Sequence, residues 1–386
     1  MDYSRDSFFN SFQKIDFVGF DLDHTLIHYK IQELGKLVFD CLKRYVVEIR
    51  SFNKDLLQVE YDPEICVKGN LCDISKGNLI KIDNDNKVRR AFHGVNKQLS
   101  LTEIEQQYNQ DKIIEFSGHR TENFLPVFSY FELGMGSLFI VMVDFFDEKK
   151  DQTCKNYAEI AKLVLDAMDY IFNDWNRGYY YPTITNNLDK YIKKSPKIRK
   201  LLEKMKENGK GLFLITNSLP EYSNYLLSFS IGSDWEKLFQ IVVFFARKPS
   251  FYDSKAQFEI ISQNEKSMKL MFGNYNEFKK LLFNSTPNKK EFKTCYFGDH
   301  LIGDIKECKA KTDWNTVAII EELKPNSNDL LESPKWGSFS FCDSSKETKE
   351  EKKKTFWQQF ADTHSDYYVY SLEEFYDQYC EFLSKK

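Results

Sequence analysis

Short apolar runs recur along the chain, each closing on a polar cluster, at residues 15–20, 211–215, 241–245, 294–297 and 316–320. Runs this short and this continuously apolar read as strands buried on both faces of a parallel sheet. Helical patterns separate several of them, which predicts an α/β fold with a Rossmann-like, doubly wound, mostly parallel sheet. One helix is well punctuated: Ser195 is the predicted N-cap, Pro196 sits in the first turn, and Gly209 stops it.

Between the first strand and the second, residues 29–187 follow other periods. Leu34, Leu37, Val38, Cys41, Leu42, Tyr45 and Val46 fall on one helical face. A hairpin is predicted over 79–82 and 88–92, turning at 83–86. Ser100 and Glu103 have the spacing of a capping box, and longer helical patterns run over about 125–146 and 154–175. An insertion of this size is too long for a loop, so it is predicted to be a second, mainly helical domain. The expected organisation is a first core piece at 1–28, the inserted cap at 29–187, a second core piece at 188–343, and a C-terminal stretch at 344–386. That stretch holds a mixed-charge run at 346–354 and an amphipathic helix over 371–383.

The composition, 42% hydrophobic and 29% charged, suits a soluble chain with room for two cores. A net charge of −4 offers no basic surface for a nucleic acid. The aromatic share of 16% reads as core packing. Eight scattered cysteines include no Cys-x-x-Cys pair, which argues against a zinc site or a disulfide framework. The first residues carry acids and lack the apolar segment of a secretory signal. The most apolar stretch, 124–146, is broken by Glu132 and Asp144, and its charge-free part falls short of the roughly 20 residues a membrane span needs. These features predict a reduced, cytoplasmic protein with no membrane span; they leave the oligomeric state open.

The chemistry sits at the strand ends. Phe-Asp-Leu-Asp-His-Thr-Leu at 20–26 follows the first predicted strand directly and supplies Asp21 and Asp23. Open α/β sheets bind ligands at this edge. A calcium loop is excluded, because Leu26 stands where an EF-hand needs glycine. The strand at 211–215 runs into Thr216, Asn217 and Ser218, with Ser218 predicted to cap the next helix in a capping box with Glu221. A hydroxyl beside free N–H groups at a helix start is a phosphate cradle. The strand at 241–245 leads to Lys248, and the strand at 294–297 to Gly298-Asp299-His300-Leu301-Ile302-Gly303-Asp304, whose two carboxylates can approach one cation.

These motifs, in this order, resemble the haloacid dehalogenase superfamily. Together with Gly-Asn-Leu-Ile-Lys-Ile-Asp (77–83), Val-Asp-Phe-Phe (143–146) and Ala-Arg-Lys-Pro (246–249), they resemble the cytosolic purine 5′-nucleotidase-like and 5′-nucleotidase domain-containing proteins. The resemblance implies a large cap inserted after the first strand and hydrolysis of nucleoside monophosphates. Asp21, nearest the strand end, is the expected nucleophile, and Asp23 the acid and base. Mg²⁺ would be held by Asp21 and Asp299, with the backbone carbonyl of Asp23 as the ligand the family implies. Asp304 would orient Asp299, a bound water or Lys248. Thr216, Asn217, Ser218 and Lys248 would hold the phosphoryl oxygens. A nucleoside base would meet residues between about His119 and Glu132, Phe131 and Glu132 among them. Two readings stand beside this one: a scaffold that keeps the fold without turnover, and a phosphatase for another small phosphate ester.

Overall fold

The structure, a computed structural model, describes residues 5–108, 116–264, 267–285, 289, 291–325, 333–342 and 353–385. Most of the predicted mixed-charge run at 346–354 lies outside the described residues.

The predicted apolar runs form the strands Phe17–Phe20, Gly211–Ile215, Ile241–Phe244, Thr294–Gly298 and Asn315–Ile319, almost wholly buried. They lie in one eight-stranded sheet. From Phe17–Phe20 the chain steps outward on one side through Gly211–Ile215, Ile241–Phe244 and Met268–Phe272. It then returns to the other side through Thr294–Gly298, Asn315–Ile319 and Tyr367–Val369. All these pairs are parallel; Phe258–Gln263 adds an antiparallel edge beside Met268–Phe272. The strands at 258–263, 268–272 and 367–369 were not predicted. The first is largely exposed and the last has three residues, so neither makes a buried apolar run. Reversal of winding direction beside Phe17–Phe20 creates the crevice where such sheets take ligands.

Aromatic packing holds the sheet on both sides. Phe213 meets Phe278 and Trp314, with ring centroids 5.0 and 5.3 Å away. A Cβ on Gly19 would lie 2.1 Å from the Phe213 ring, so the first strand needs glycine there to pass it. Phe9 and Phe12, from the helix Arg5–Phe12, pack on Phe375 and Tyr379 of the helix Leu372–Ser384. Ser371 caps that last helix by accepting from the Glu374 N–H at 3.2 Å. The helix Pro196–Glu207 forms as predicted, except that the Ser195 side chain makes no capping bond.

The chain divides into two compact units, Met1–Tyr29 with Ile192–Lys324 and Thr363–Lys386, and Lys30–Tyr191 with Pro325–Asp362. This corrects the expected end of the core at 343. Residues 325–362 join the second unit, where Lys81 Nζ donates to the carbonyls of Trp336, Ser338 and Phe341, at 2.7, 2.5 and 3.2 Å. The Trp336 indole also donates to the Ile65 carbonyl at 2.8 Å.

The second unit is mostly helical and also carries a five-stranded antiparallel sheet, of which only the hairpin Asn78–Ile82 with Val88–His93 was predicted. The capping box forms: Ser100 N donates to Glu103 Oε2 at 2.8 Å, and Glu103 N to Ser100 Oγ at 3.3 Å. The helix expected from 125 begins only at Glu132, and Phe124–Pro126 is a strand. Pro126 disfavours helical backbone at Leu125 and cannot donate a helical hydrogen bond itself. Among the described residues no helix is long and apolar enough to cross a membrane.

Candidate active site

Parallel register carries the motif residues to one sheet edge. Phe20 lies level with Leu214 and Phe297. Asp21 follows immediately, its N–H donating to the Phe297 carbonyl at 2.8 Å. Thr216 and Asp299 leave their own strands at the same level.

Lys248 organises the centre. Its side chain is 4% exposed, and Nζ donates to Asp21 Oδ1 at 2.7 Å, Asp304 Oδ1 at 2.6 Å and the Tyr296 hydroxyl at 2.8 Å. Tyr296 in turn donates to the Ile215 carbonyl at 2.8 Å. Burial alone would lower the ammonium's pKa, but the charges of Asp21 and Asp304 raise it, so Lys248 stays a cation. The loop that delivers Lys248 is strained: Phe245 and Arg247 hold positive φ, 45° and 60°. Such residues cost on the order of 1–3 kcal/mol each and persist only where the surroundings hold them. The Asn217 side chain is one such hold, accepting from Lys248 N at 2.7 Å and donating to its carbonyl at 3.0 Å. Asn217's amide is therefore occupied by the lysine loop, which leaves its main-chain N–H as its donor for an anion.

Ser218 corrects its predicted role. The helix Pro220–Ser230 has Leu219 at its N-cap and no side-chain cap. Ser218 Oγ instead donates to Asp23 Oδ2 at 2.6 Å. Ser218 N donates to Thr216 Oγ1 at 3.0 Å, so the hydroxyl of fully buried Thr216 braces the turn. Asp23, half-buried, accepts a second bond at Oδ1 from the Tyr29 hydroxyl at 2.5 Å. Among the described residues, the main-chain N–H groups of Leu22, Asp23 and Asn217 make no hydrogen bond. They are backbone donors left open at this edge of the sheet.

Asp21, Asp299 and Asp304 are 7%, 6% and 2% exposed, and each places a carboxylate oxygen within 4.8 Å of the others. Burial raises the Asp21 carboxyl to about 7; Lys248 opposes this, and the Asp304 and Asp23 charges add to it. Three buried carboxylates facing one lysine are short of positive charge, and an all-oxygen set suits a hard divalent cation. The donors therefore fit a metal ion, and Asp304, expected behind Asp299, presents its oxygen within the same cluster.

Asp304 is placed by close approach. A Cβ on Gly298 would lie 2.3 Å from Asp304 Cβ. The Asp304 N–H donates to the His300 carbonyl at 2.8 Å, and the His300 N–H returns to Asp304 Oδ2 at 3.2 Å. Gly298→Ala is expected to push Asp304 off Lys248, costing about 1–3 kcal/mol by overpacking. A urea melt checks this, a loss well under about 1 kcal/mol speaking against the close approach.

Several residues around the site escape sequence reasoning. His28, past the loop, has Nε2 2.9 Å from Glu373 and Nδ1 3.8 Å from Glu321. Burial would lower its pKa, yet the two glutamates raise it to about 9, so it is an imidazolium that ties the loop to the last helix. Tyr29 and Tyr296 look like core aromatics in the sequence, and no local pattern marks their hydroxyls. Phe131 and Glu132 lie in the second unit. The Phe131 ring meets Phe172 edge-on at 5.6 Å. Glu132 accepts from the N–H groups of Phe128 and Ser129 at 2.9 Å each, so its carboxylate closes the start of its own helix.

An aspartate at the crossover of a doubly wound sheet, backed by a lysine and a cation-ready carboxylate cluster, marks a hydrolase of phosphate monoesters. The 5′ nucleotidase family model matches residues 10–380, and the chain belongs to that family. It is 30% identical over 374 residues to 5′-nucleotidase domain-containing protein 1 of Bos taurus, covering 85% of this chain and 82% of that protein. The Homo sapiens protein of the same description is 29% identical over 375 residues, with the same coverage. Human 5′-nucleotidase domain-containing protein 2 is 28% identical over 339 residues, covering 81% of this chain and 62% of that one. A solved archaeal beta-phosphoglucomutase from hyper-thermophilic Pyrococcus has a TM-score of 0.31 and 14% identity, covering 79% of this chain and 86% of its own.

Proposed function

We propose that the protein hydrolyses nucleoside 5′-monophosphates with Mg²⁺, by way of a phosphoryl group carried on Asp21. The observation that carries this reading is the pairing of Asp21, bonded to Lys248, with Asp23, bonded to Ser218, at the end of one strand. In the first step an Asp21 oxygen attacks phosphorus and the ester P–O bond breaks, the leaving oxygen taking its proton from Asp23. In the second, water attacks phosphorus, Asp23 takes the water's proton, and the aspartyl P–O bond breaks to restore the Asp21 carboxylate. Lys248 and the N–H groups of Leu22, Asp23 and Asn217 face the equatorial oxygens, where fixed charge and positioning contribute most. Asp21, Asp299 and the Asp23 carbonyl would hold Mg²⁺, with Asp304 beside them. Bound there, Mg²⁺ supplies positive charge to the phosphate oxygens.

Phosphate release is expected from a nucleoside 5′-monophosphate with Mg²⁺, to vanish in excess chelator, and to return poorly with Ca²⁺, which takes more ligands at longer distances. Full activity in chelator would remove the metal from this account. Phe131 is kept as the residue proposed to meet the nucleoside on the chemistry of its ring alone, since stacking on an aromatic is worth about 1–3 kcal/mol per base. Phe131→Ala should then raise KM for the nucleotide about tenfold while leaving KM for p-nitrophenyl phosphate within about twofold. An equal rise for both would reduce Phe131 to packing.

A further inference from the structure

Asp23 has to present one carboxyl oxygen to a leaving group and then to a water, and it does so from a half-buried side chain free to turn about two torsions. A single hydrogen bond at Oδ2, from Ser218, leaves the carboxyl plane able to swing about that contact. The structure supplies a second hold on the other oxygen. The Tyr29 hydroxyl reaches Oδ1 at 2.5 Å, and the Tyr222 hydroxyl lies 3.0 Å from Tyr29's own. Neither ring is loose. Tyr29 is fully buried and Tyr222 is 2% exposed. Tyr29 belongs to the two-residue strand His28–Tyr29, paired antiparallel with Ile192–Lys193, and its ring packs on His24 with centroids 4.7 Å apart. Tyr222 sits in the first turn of the helix Pro220–Ser230, just after the turn that carries Thr216 and Ser218. The two hydroxyls on Asp23 thus come from the two chain segments flanking the site, and Tyr222 joins one to the other.

We propose that Tyr29, backed by Tyr222, is a positioning residue that fixes the plane of the Asp23 carboxyl for proton transfer to the leaving oxygen. The proposal rests on the reading of Asp23 as acid and base given above. A hydroxyl suits this work better than a lysine would, because it donates to the carboxyl without bringing a charge to it. While Asp23 is a carboxylate, Tyr29 donates to it. When Asp23 carries its one proton, that proton points at the leaving oxygen, and the Tyr29 O–H goes on donating to a lone pair of the carboxyl. The hold therefore persists through both halves of the reaction, without an added charge beside the carboxylate cluster.

A purely structural tyrosine and a positioning one differ in what their loss does to different leaving groups. The test compares kcat/KM, which reads only the steps through loss of the leaving group, for a nucleoside 5′-monophosphate and for p-nitrophenyl phosphate. An alkoxide leaves only with a proton; p-nitrophenolate leaves without one. General acid catalysis contributes about 10²–10⁴-fold, and misaligning the acid should lose part of it. Tyr29→Phe is expected to lower kcat/KM about 10- to 100-fold for the nucleotide and less than about threefold for p-nitrophenyl phosphate. Tyr222→Phe, which removes only the backing hydroxyl, should show the same selectivity with a smaller loss and serves if the first variant fails to fold. An equal loss on both esters, or no loss on either, overturns the positioning role while leaving the phosphatase reading intact. A wild-type protein that hydrolyses neither ester removes that reading and this proposal with it.

Discussion

Asp21→Asn is expected to abolish turnover and leave the fold intact. The amide is nearly isosteric with the carboxylate but cannot attack phosphorus, and loss of a covalent nucleophile should cost at least about 10³-fold in kcat. Stability should not suffer. Asp21 is one of three clustered buried carboxylates, and its burial already resists the charge. An unchanged or slightly raised melting temperature together with lost phosphate release is the expected pair of results. Near-wild-type release by this variant would show that Asp21 is not the nucleophile.

Lys248→Met should do the reverse to stability while also stopping turnover. The ammonium bridges Asp21 and Asp304 from a position 4% exposed, and it also meets Tyr296. Removing one partner of a buried ion pair leaves the other uncompensated, at a cost of about 3–5 kcal/mol. A urea melt in metal-free buffer should show a loss of that order, and added Mg²⁺ should recover part of it, because a cation among the carboxylates replaces some of the missing charge. Turnover should fall at least about 10²-fold if Lys248 faces the transferring phosphoryl group as proposed. A stable, active Lys248→Met protein would mean that the contact with Asp21 does little.

What could be read from the chain alone follows from where each signal sits. Asp21, Thr216, Lys248 and Asp299 lie next to apolar runs that announce buried strands, so their place at one sheet edge follows from the parallel order. The helix starts at Ser100 and Ser371 are local, one closed by its own glutamate and both by nearby N–H groups, and both form. Ser218 shows where locality misleads. Its spacing to Glu221 suits a capping box, but a bond to Asp23, 195 positions away, takes its hydroxyl. Tyr29, Tyr222 and Tyr296 are hidden for a related reason: on a buried strand or helix a tyrosine reads as another apolar ring, and only the folded chain shows what its hydroxyl meets. The return of residues 325–362 to the second unit brings Lys81 to carbonyls some 255 to 260 positions along, which no periodicity records.

If phosphorus passes through Asp21, stopping the reaction in mid-turnover should trap it there. Wild-type protein turning over a nucleoside 5′-monophosphate labelled in its phosphate, with Mg²⁺, is quenched in acid and digested. Label is expected on the peptide that contains Asp21, released by hydroxylamine as an acyl phosphate is, and absent from Asp21→Asn. Steady release of labelled phosphate with the label on another residue, or with the Asp21 peptide unlabelled in a single turnover followed from its first moments, would contradict it.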